Sequence, residues 1–312
     1  MAVKIHVLHV KNGQCVIVDH GSRKSLVDIH KLSESERAEE QEVSEEKFSK
    51  SSAGGYVYRA TNPISYWTDV IGNKSAFRTI ITHPDKDHIT GIDEFLDSIG
   101  TINMWMPTQH IDTIPDNDDG NRIKKIVNGE ETGVKFIEPK RDSDSEFFGT
   151  GNADWDQIQI LHPTSFHESE SANQGSYLIK IHHGKSSVII GGDTGKETFE
   201  WLLDKHPDDL KCTVFVASHH GRQTGWPGQD VMEHMNPLMV LIPKGKIPSK
   251  DSALGNYARV LGADRYLTTS YAGNIRVELN KKDDISSFEC EREFVNKQLS
   301  DVLEKARRLR NG

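Results

Sequence analysis

The amino-acid sequence predicts an α/β protein. Three observations carry that reading: an opening β-hairpin, a strand-loop-helix unit over residues 77–99, and a strand-rich second half whose strands end in polar clusters. The hairpin runs from Val3 to Val10, turns at Asn12-Gly13 and continues from Cys15 to Asp19. Asn-Gly is a strong hairpin signal because both central residues of the tight turn take positive φ. Ser25 to Asp28 reads as a further strand. Residues 33–54 then change character, with seven glutamates between Glu34 and Glu46 and a Ser-Ser-Ala-Gly-Gly ending, and read as a solvated insertion. Phe77 to Ile81 is an apolar strand. Beyond it Thr90 is placed to cap a helix whose Ile92, Phe95, Leu96 and Ile99 share one face. A second acid-rich stretch lies around Asp112 to Gly120 and Lys140 to Glu146.

In the second half, Tyr177, Ile179 and Ile181 alternate toward one face, and His183-Gly184-Lys185 turns the chain. Val188 to Ile190 returns directly into Gly191-Gly192-Asp193. A short helix with Phe199, Leu202 and Leu203 inward precedes a strand, Thr213 to Ala217, that ends in Ser218-His219-His220-Gly221. Leu238 to Ile242, Tyr266 to Thr269 and Ile275 to Leu279 read as strands. The tail from about Ile285 to Arg310 reads as a helix with Val295, Leu299, Val302, Leu303 and Ala306 on one stripe. Its basic end suits a helix C-terminus electrostatically. The expected organisation is one domain over 1–280, with the acidic insertion at about 31–54, and a C-terminal helix over 281–312.

A chain of 312 residues can bury a large core, and its 35% hydrophobic content suits a globular protein with polar insertions. The net charge of −9 argues against a broad basic face for coating duplex nucleic acid. A local anion site remains open to it, because bound metal ions would dominate the local field. Cys15, Cys212 and Cys290 are far apart and odd in number, which fits a reducing cytoplasm rather than a disulfide framework. No run approaches a membrane-spanning length, and the N-terminus lacks a basic-then-apolar export signal, so the expected location is cytoplasmic without membrane association.

The densest chemistry is Thr82-His83-Pro84-Asp85-Lys86-Asp87-His88, where two histidines and two carboxylates converge between a strand and a helix. Alone, such a cluster is compatible with an ordinary polar turn. Asp193 and His219-His220 also follow apolar strands directly, and glycines flank both, so the backbone can turn sharply there. With these three strand ends the sequence resembles the metallo-β-lactamase superfamily of metal-dependent hydrolases. It is most similar to the hydrolase domain of the competence protein ComEC. The matching motifs are His83-Pro84-Asp85-Lys86-Asp87-His88, Asn173-Gln174-Gly175-Ser176, Gly192-Asp193 and His219-His220-Gly221. The resemblance extends from the first hairpin to about Leu279. Two departures stand out. The hairpin turn reads Lys11-Asn12-Gly13-Gln14 where a glycine-rich turn ending in Asp is usual, and Ser249-Lys250 lie where that branch carries His-Pro.

The resemblance implies an αββα sandwich of two mixed sheets flanked by helices, with two divalent metal ions at its rim. His83 and Asp85, with Asn173 where other branches supply a histidine, would form one metal position. Asp87, His88 and His219 would form the second, with Asp193 bridging. His219 follows the strand directly and is preferred to His220 as the ligand. His220 is then either a catalytic group, contacting a phosphate or protonating a leaving group, or a residue packed beside the site. Asp28 could orient a ligand. Asp87 is the expected catalytic acceptor of a water proton.

Oxygen-rich ligation suits Mn²⁺ as well as Zn²⁺. Three carboxylates against two divalent ions leave one net positive charge, which attracts a phosphodiester. The expected activity is therefore that of a metal-dependent phosphodiesterase, a stand-alone nuclease acting on DNA, within a defence or repair system. The alternatives are hydrolysis of a small ester, thioester or lactone on the same scaffold, and a catalytically weak binding subunit. In the last, the acidic insertion and the C-terminal helix would serve a protein partner.

Overall fold

Two mixed β-sheets lie face to face in the computed structural model, which describes residues 2–38, 59–72, 74–143, 156–165, 170–245, 249–282, 284–291 and 293–311. Most of the acidic insertion, residues 39–54, and residues 144–146 of the second acidic stretch lie outside them.

The first sheet is built from β1 (Val3–Val7), β2 (Val16–Asp19), β3 (Lys24–Val27), β4 (Ala76–Ile80), β5 (Thr101–Trp105) and β6 (Lys135–Ile137), closed on its other side by β13 (Ile275–Leu279) and β14 (Ile285–Cys290). Its order is β14-β13-β1-β2-β3-β4-β5-β6. The second sheet contains β7 (Ile158–His162), β8 (Leu178–His183), β9 (Ser186–Ile190), β10 (Val214–Val216), β11 (Met239–Ile242) and β12 (Tyr266–Thr268), in the order β12-β11-β10-β9-β8-β7.

Three apolar layers hold this arrangement together. The inner faces of the two sheets meet through Ile5, Val16, Val27 and Ile80 on one side and Ile179, Ile190, Val214 and Leu241 on the other. Outside the first sheet, Ile92, Phe95, Ile123 and Ile126 pack on Leu26 and Met104 from the helices Ile92–Ser98 and Asp118–Val127. Outside the second, Phe199, Leu202, Met232 and Tyr257 cover Ile189, Phe215 and Val240. Helix, sheet, sheet, helix is the αββα sandwich expected from the sequence.

The parallel parts of the two sheets matter most for the site. Strands β3, β4 and β5 are parallel and in register through Val27, Ile80 and Trp105. Strands β9, β10, β11 and β12 are parallel and in register through Ile190, Val216, Leu241 and Leu267. Parallel strands in register deliver the residues that follow them to a common rim.

Three local expectations differ from the structure. The hairpin is present, but its loop is wider than a two-residue turn: β1 and β2 pair as far as Val7 and Val16, and the Leu8 amide closes on the Cys15 carbonyl at 2.9 Å. Lys11, not Asn12 or Gly13, takes the positive φ, 59°. Thr90 ends the short helix Lys86–Ile89 by donating its hydroxyl to the Lys86 carbonyl at 2.6 Å; it does not start the next helix. Gly91 starts that helix, and the Asp119 carboxylate receives the amides of Gly91 and Asp93 at 3.0–3.1 Å. A carboxylate from a neighbouring helix thus does the capping, in the place where the helix dipole favours it. Lastly, Ile285 to Cys290 is a strand paired with β13, and the terminal helix begins at Glu293. That helix spends its apolar stripe, Val295, Leu299, Leu303 and Ala306, on the inner core. Among the described residues no helix is long and apolar enough to cross a membrane.

Candidate metal centre

Asp193 lies at the middle of a ring of imidazoles. Its Oδ1 is 3.2 Å from His88 Nε2 and 3.7 Å from His220 Nε2. Its Oδ2 is 3.4 Å from His219 Nε2 and 3.8 Å from His83 Nε2. Asp87 Oδ2 approaches His220 Nε2 at 3.2 Å, and Asp85 Oδ2 approaches His83 Nε2 at 3.5 Å. Asn173 Nδ2 donates to Asp193 Oδ2 at 3.4 Å, so its amide N–H, not its carbonyl oxygen, faces the carboxylate. Its use as an oxygen ligand requires the amide turned over.

All the sequence-selected residues therefore come together, but their partition differs from the expected one. His220, not His219, joins Asp87 and His88, and their ligand atoms lie within 4.8 Å of one another. His219 faces the other oxygen of Asp193, on the side of His83 and Asp85. The choice between the two histidines is not forced by the backbone, which coils left-handed there, with φ of 47° at His219 and 53° at His220. Two successive non-glycine residues in that region cost of order 1–3 kcal/mol each and persist where the surroundings over-determine them. The reversed turn points both rings at Asp193. The His219 amide is held by the Gly192 carbonyl at 2.8 Å, which ties the two glycine-flanked loops together. Gly192 is itself at φ 50°, and a Cβ there would sit 2.3 Å from Ser176 Oγ, the same hydroxyl that accepts the Asp193 amide at 3.1 Å.

Ring orientation comes from a buried carboxylate behind the centre. Asp28 Oδ2 accepts Nδ1–H of His88 at 2.8 Å, the Thr82 hydroxyl at 2.7 Å and the Gln14 amide at 2.8 Å. Because the Thr82 proton goes to Asp28, the Thr82 oxygen accepts Nδ1–H of His83 at 3.2 Å. Nδ1 of His219 pairs with the Thr224 hydroxyl at 2.8 Å. Each of these bonds occupies Nδ1 and leaves Nε2 facing inward, the arrangement that orients a metal-ligating histidine.

The fit to a cation can be judged from what the protein itself does not satisfy. His83 Nε2, His88 Nε2, Asp193 Oδ1 and both ring nitrogens of His220 are buried without a hydrogen-bond partner. Groups so placed are costly unless something else meets them. Burial pushes the Asp193 carboxyl up, yet His88, His220 and His83 outweigh it and hold it well below the ordinary range. His88 shows the converse: burial opposes its charge, but Asp193 and Asp28 raise its proton affinity well above normal. A divalent cation between these groups would take the part that the proton plays in their absence.

Asp28→Asn tests the orienting role, since asparagine tolerates the positive φ of 56° at that position. The variant is expected to stay folded and to bind metal roughly 10–100-fold more weakly. Chelator competition measures this, and wild-type affinity would show that Asp28 does not support the ligands.

An open groove of about 430 Å³ begins at Asp87 and continues past His30, Lys31, Lys86 and Thr90. Sequence reasoning missed Gln14, Thr82, Thr224 and His30. Gln14 could have been suspected from the unusual turn ending Asn12-Gly13-Gln14, and Thr82 from its place directly before His83. Nothing local marked Thr224 or His30.

No family model and no curated protein matches this chain. Solved structures do. A metallo hydrolase from the hyperthermophilic archaeon Ignicoccus hospitalis is 12% identical, with 89% of this chain and 100% of that chain aligned and a TM-score of 0.51. A diiron β-hydroxylase from Streptomyces venezuelae is 13% identical, aligned over 89% of this chain and 54% of that one, also with a TM-score of 0.51. A diphosphatase of the PhnP family superposes more loosely, at 11% identity and a TM-score of 0.45, over 89% of this chain and 99% of that one. At these identities the likeness concerns the fold: the chain has the metallo-β-lactamase αββα sandwich.

Proposed function

We propose that this protein is a metal-dependent phosphodiesterase, a nuclease acting on DNA, that holds two divalent ions on either side of Asp193. The observation that carries the reading is the division of labour around that carboxylate. Its Oδ1 faces His88 and His220, with Asp87 beside them; its Oδ2 faces His83 and His219, with Asp85 and Asn173 beside them. One position would then be held by Asp87, His88 and His220, and the other by His83, Asp85 and His219, joined by Asn173 once its amide is turned over. When bound, such ions neutralise phosphate charge and lower the pKa of an attacking water. Fold alone does not select this chemistry, since the same architecture carries both a hydrolase and a hydroxylase among the neighbours. The support for phosphate comes from the charge balance of the donor set, in which three carboxylates against two divalent ions would leave one net positive charge, and from the ComEC-like motifs.

The residues have distinct tasks in this reading. Asp28, through His88 and Thr82, fixes the rings before substrate arrives. Asp87 is half-exposed at the mouth of the groove, with 40% of its side chain open, so it can receive a proton from water and pass it to solvent. His220 is buried between Asp87 and Asp193 and serves as a ligand, not as a free acid.

The test is hydrolysis of single-stranded DNA by metal-stripped protein to which each ion is returned. Oxygen donors suit Mn²⁺ and imidazole suits Zn²⁺. Restoration is expected to be greater with Mn²⁺ than with Zn²⁺, and Asp85→His is expected to shift the preference toward Zn²⁺. Equal or better restoration by Zn²⁺, with no change in Asp85→His, would mean that Asp85 does not select the metal. Turnover of esters without DNA cleavage would replace the phosphodiesterase reading by an esterase one.

A further inference from the structure

Register places a cation beside the centre that sequence reading does not reveal. In the parallel ladder, Ile190, Val216 and Leu241 are paired across β9, β10 and β11. Asp193, His219 and Lys244 each lie three residues beyond those partners. Lys244 therefore follows the strand next to that of His219 at the same rim, and adjacent strands are only about 4.8 Å apart. The side chain is buried, 9% exposed, in an environment that lowers its proton affinity by desolvation.

Its surroundings do not balance its charge. Lys244 Nζ donates to Ser252 Oγ at 3.2 Å, and no carboxylate among the described residues pairs with it. One neutral hydroxyl uses one of three N–H donors. A buried ammonium so placed lacks the partner that usually offsets its desolvation. Ser252 in turn forms a β-bridge with Arg222, the residue that follows His219-His220-Gly221. Arg222 is half-buried and has no ion pair among the described residues. In a chain whose net charge is −9, two cations without a carboxylate partner among the described residues, one bonded to the Ser252 hydroxyl and the other bridged to Ser252 through its backbone, leave a place for an anion at this rim.

We propose that Arg222 and Lys244 form a second anion subsite beside the metal centre, which takes the neighbouring phosphate of a phosphodiester chain. The proposal rests on the phosphodiesterase reading and adds to it a binding position for the phosphate next to the one that is cleaved. Arginine suits this task through its bidentate fork, and lysine as a point charge at the inner end.

The experiment has a binding arm and a rate arm. Fluorescein-labelled short single-stranded DNA is titrated onto metal-stripped wild type, Arg222→Gln, Lys244→Met and Lys244→Arg at several salt concentrations. Loss of one phosphate contact from a single strand should reduce the slope of log affinity against log salt by about 0.7. Arg222→Gln and Lys244→Met are expected to show that change, and Lys244→Arg to keep the wild-type slope. In the rate arm, the ratio of kcat/KM on the oligonucleotide to that on bis(p-nitrophenyl) phosphate, a diester with one phosphate, is expected to fall about tenfold, a difference of about 1.4 kcal/mol. A wild-type slope or an unchanged ratio in Arg222→Gln overturns the subsite, even if Lys244→Met fails to fold. If wild type hydrolyses neither substrate with any metal, the catalytic reading fails, and the salt slope alone decides the subsite.

Discussion

Asp193→Ala is expected to leave the protein without either divalent ion and without DNA hydrolysis. The reason is geometric: both carboxylate oxygens are committed, one toward His88 and His220 and the other toward His83 and His219. Removing a group that merely orients a ligand typically weakens metal binding about 10–100-fold. Removing a carboxylate shared by two positions should cost more at each. Elemental analysis after dialysis against buffered metal measures the outcome, and circular dichroism checks the fold. Asp193→Asn serves as the isosteric control, since it fills the same space without the charge. A variant that keeps its full metal content would remove Asp193 from the centre.

The histidine and aspartate cluster was legible in the sequence because its members are consecutive and sit where apolar strands stop. Asp193 and the His219-His220 pair were legible for the same reason. What the sequence could not convey is how loops fold back on one another. Asp28 reads as an acid closing a strand that could orient a ligand, but which ligand it serves is set only by the parallel pairing of β3 with β4, which brings it beneath His83 and His88. That His219 and His220 both face Asp193 depends on two left-handed residues, which no periodicity announces. Lys244 sits in a Pro-Lys-Gly-Lys segment that reads as a surface loop, and it becomes visible only through the register of β10 with β11. The strand at Ile285 to Cys290 was read as helix because its apolar residues are few and the helical stripe that follows is strong. Pairing with β13 decides it, and that partner is known only from the fold.

Asp87→Asn is expected to abolish most DNA hydrolysis while leaving the fold intact. Burial alone would push the Asp87 carboxyl up, but the close approach of the His220 ring and the charge of His88 hold it below the ordinary carboxylate range. It is therefore an ionised acceptor throughout the neutral range. Asparagine keeps the shape and loses both the charge and the capacity to take a proton. General-base contributions of this kind are worth about 10²–10⁴-fold, and a drop of that size in kcat is the expected result. Because the side chain is partly exposed, the substitution leaves no buried cavity, so the melting temperature of the metal-stripped protein should change little. Binding of the labelled oligonucleotide to metal-stripped Asp87→Asn should match or exceed that of wild type, since one negative charge has left the groove. Comparable cleavage of single-stranded DNA by wild type and Asp87→Asn, in preparations free of contaminating nuclease, would sink the mechanism. Loss of binding together with loss of cleavage would instead place Asp87 among the groups that hold the substrate.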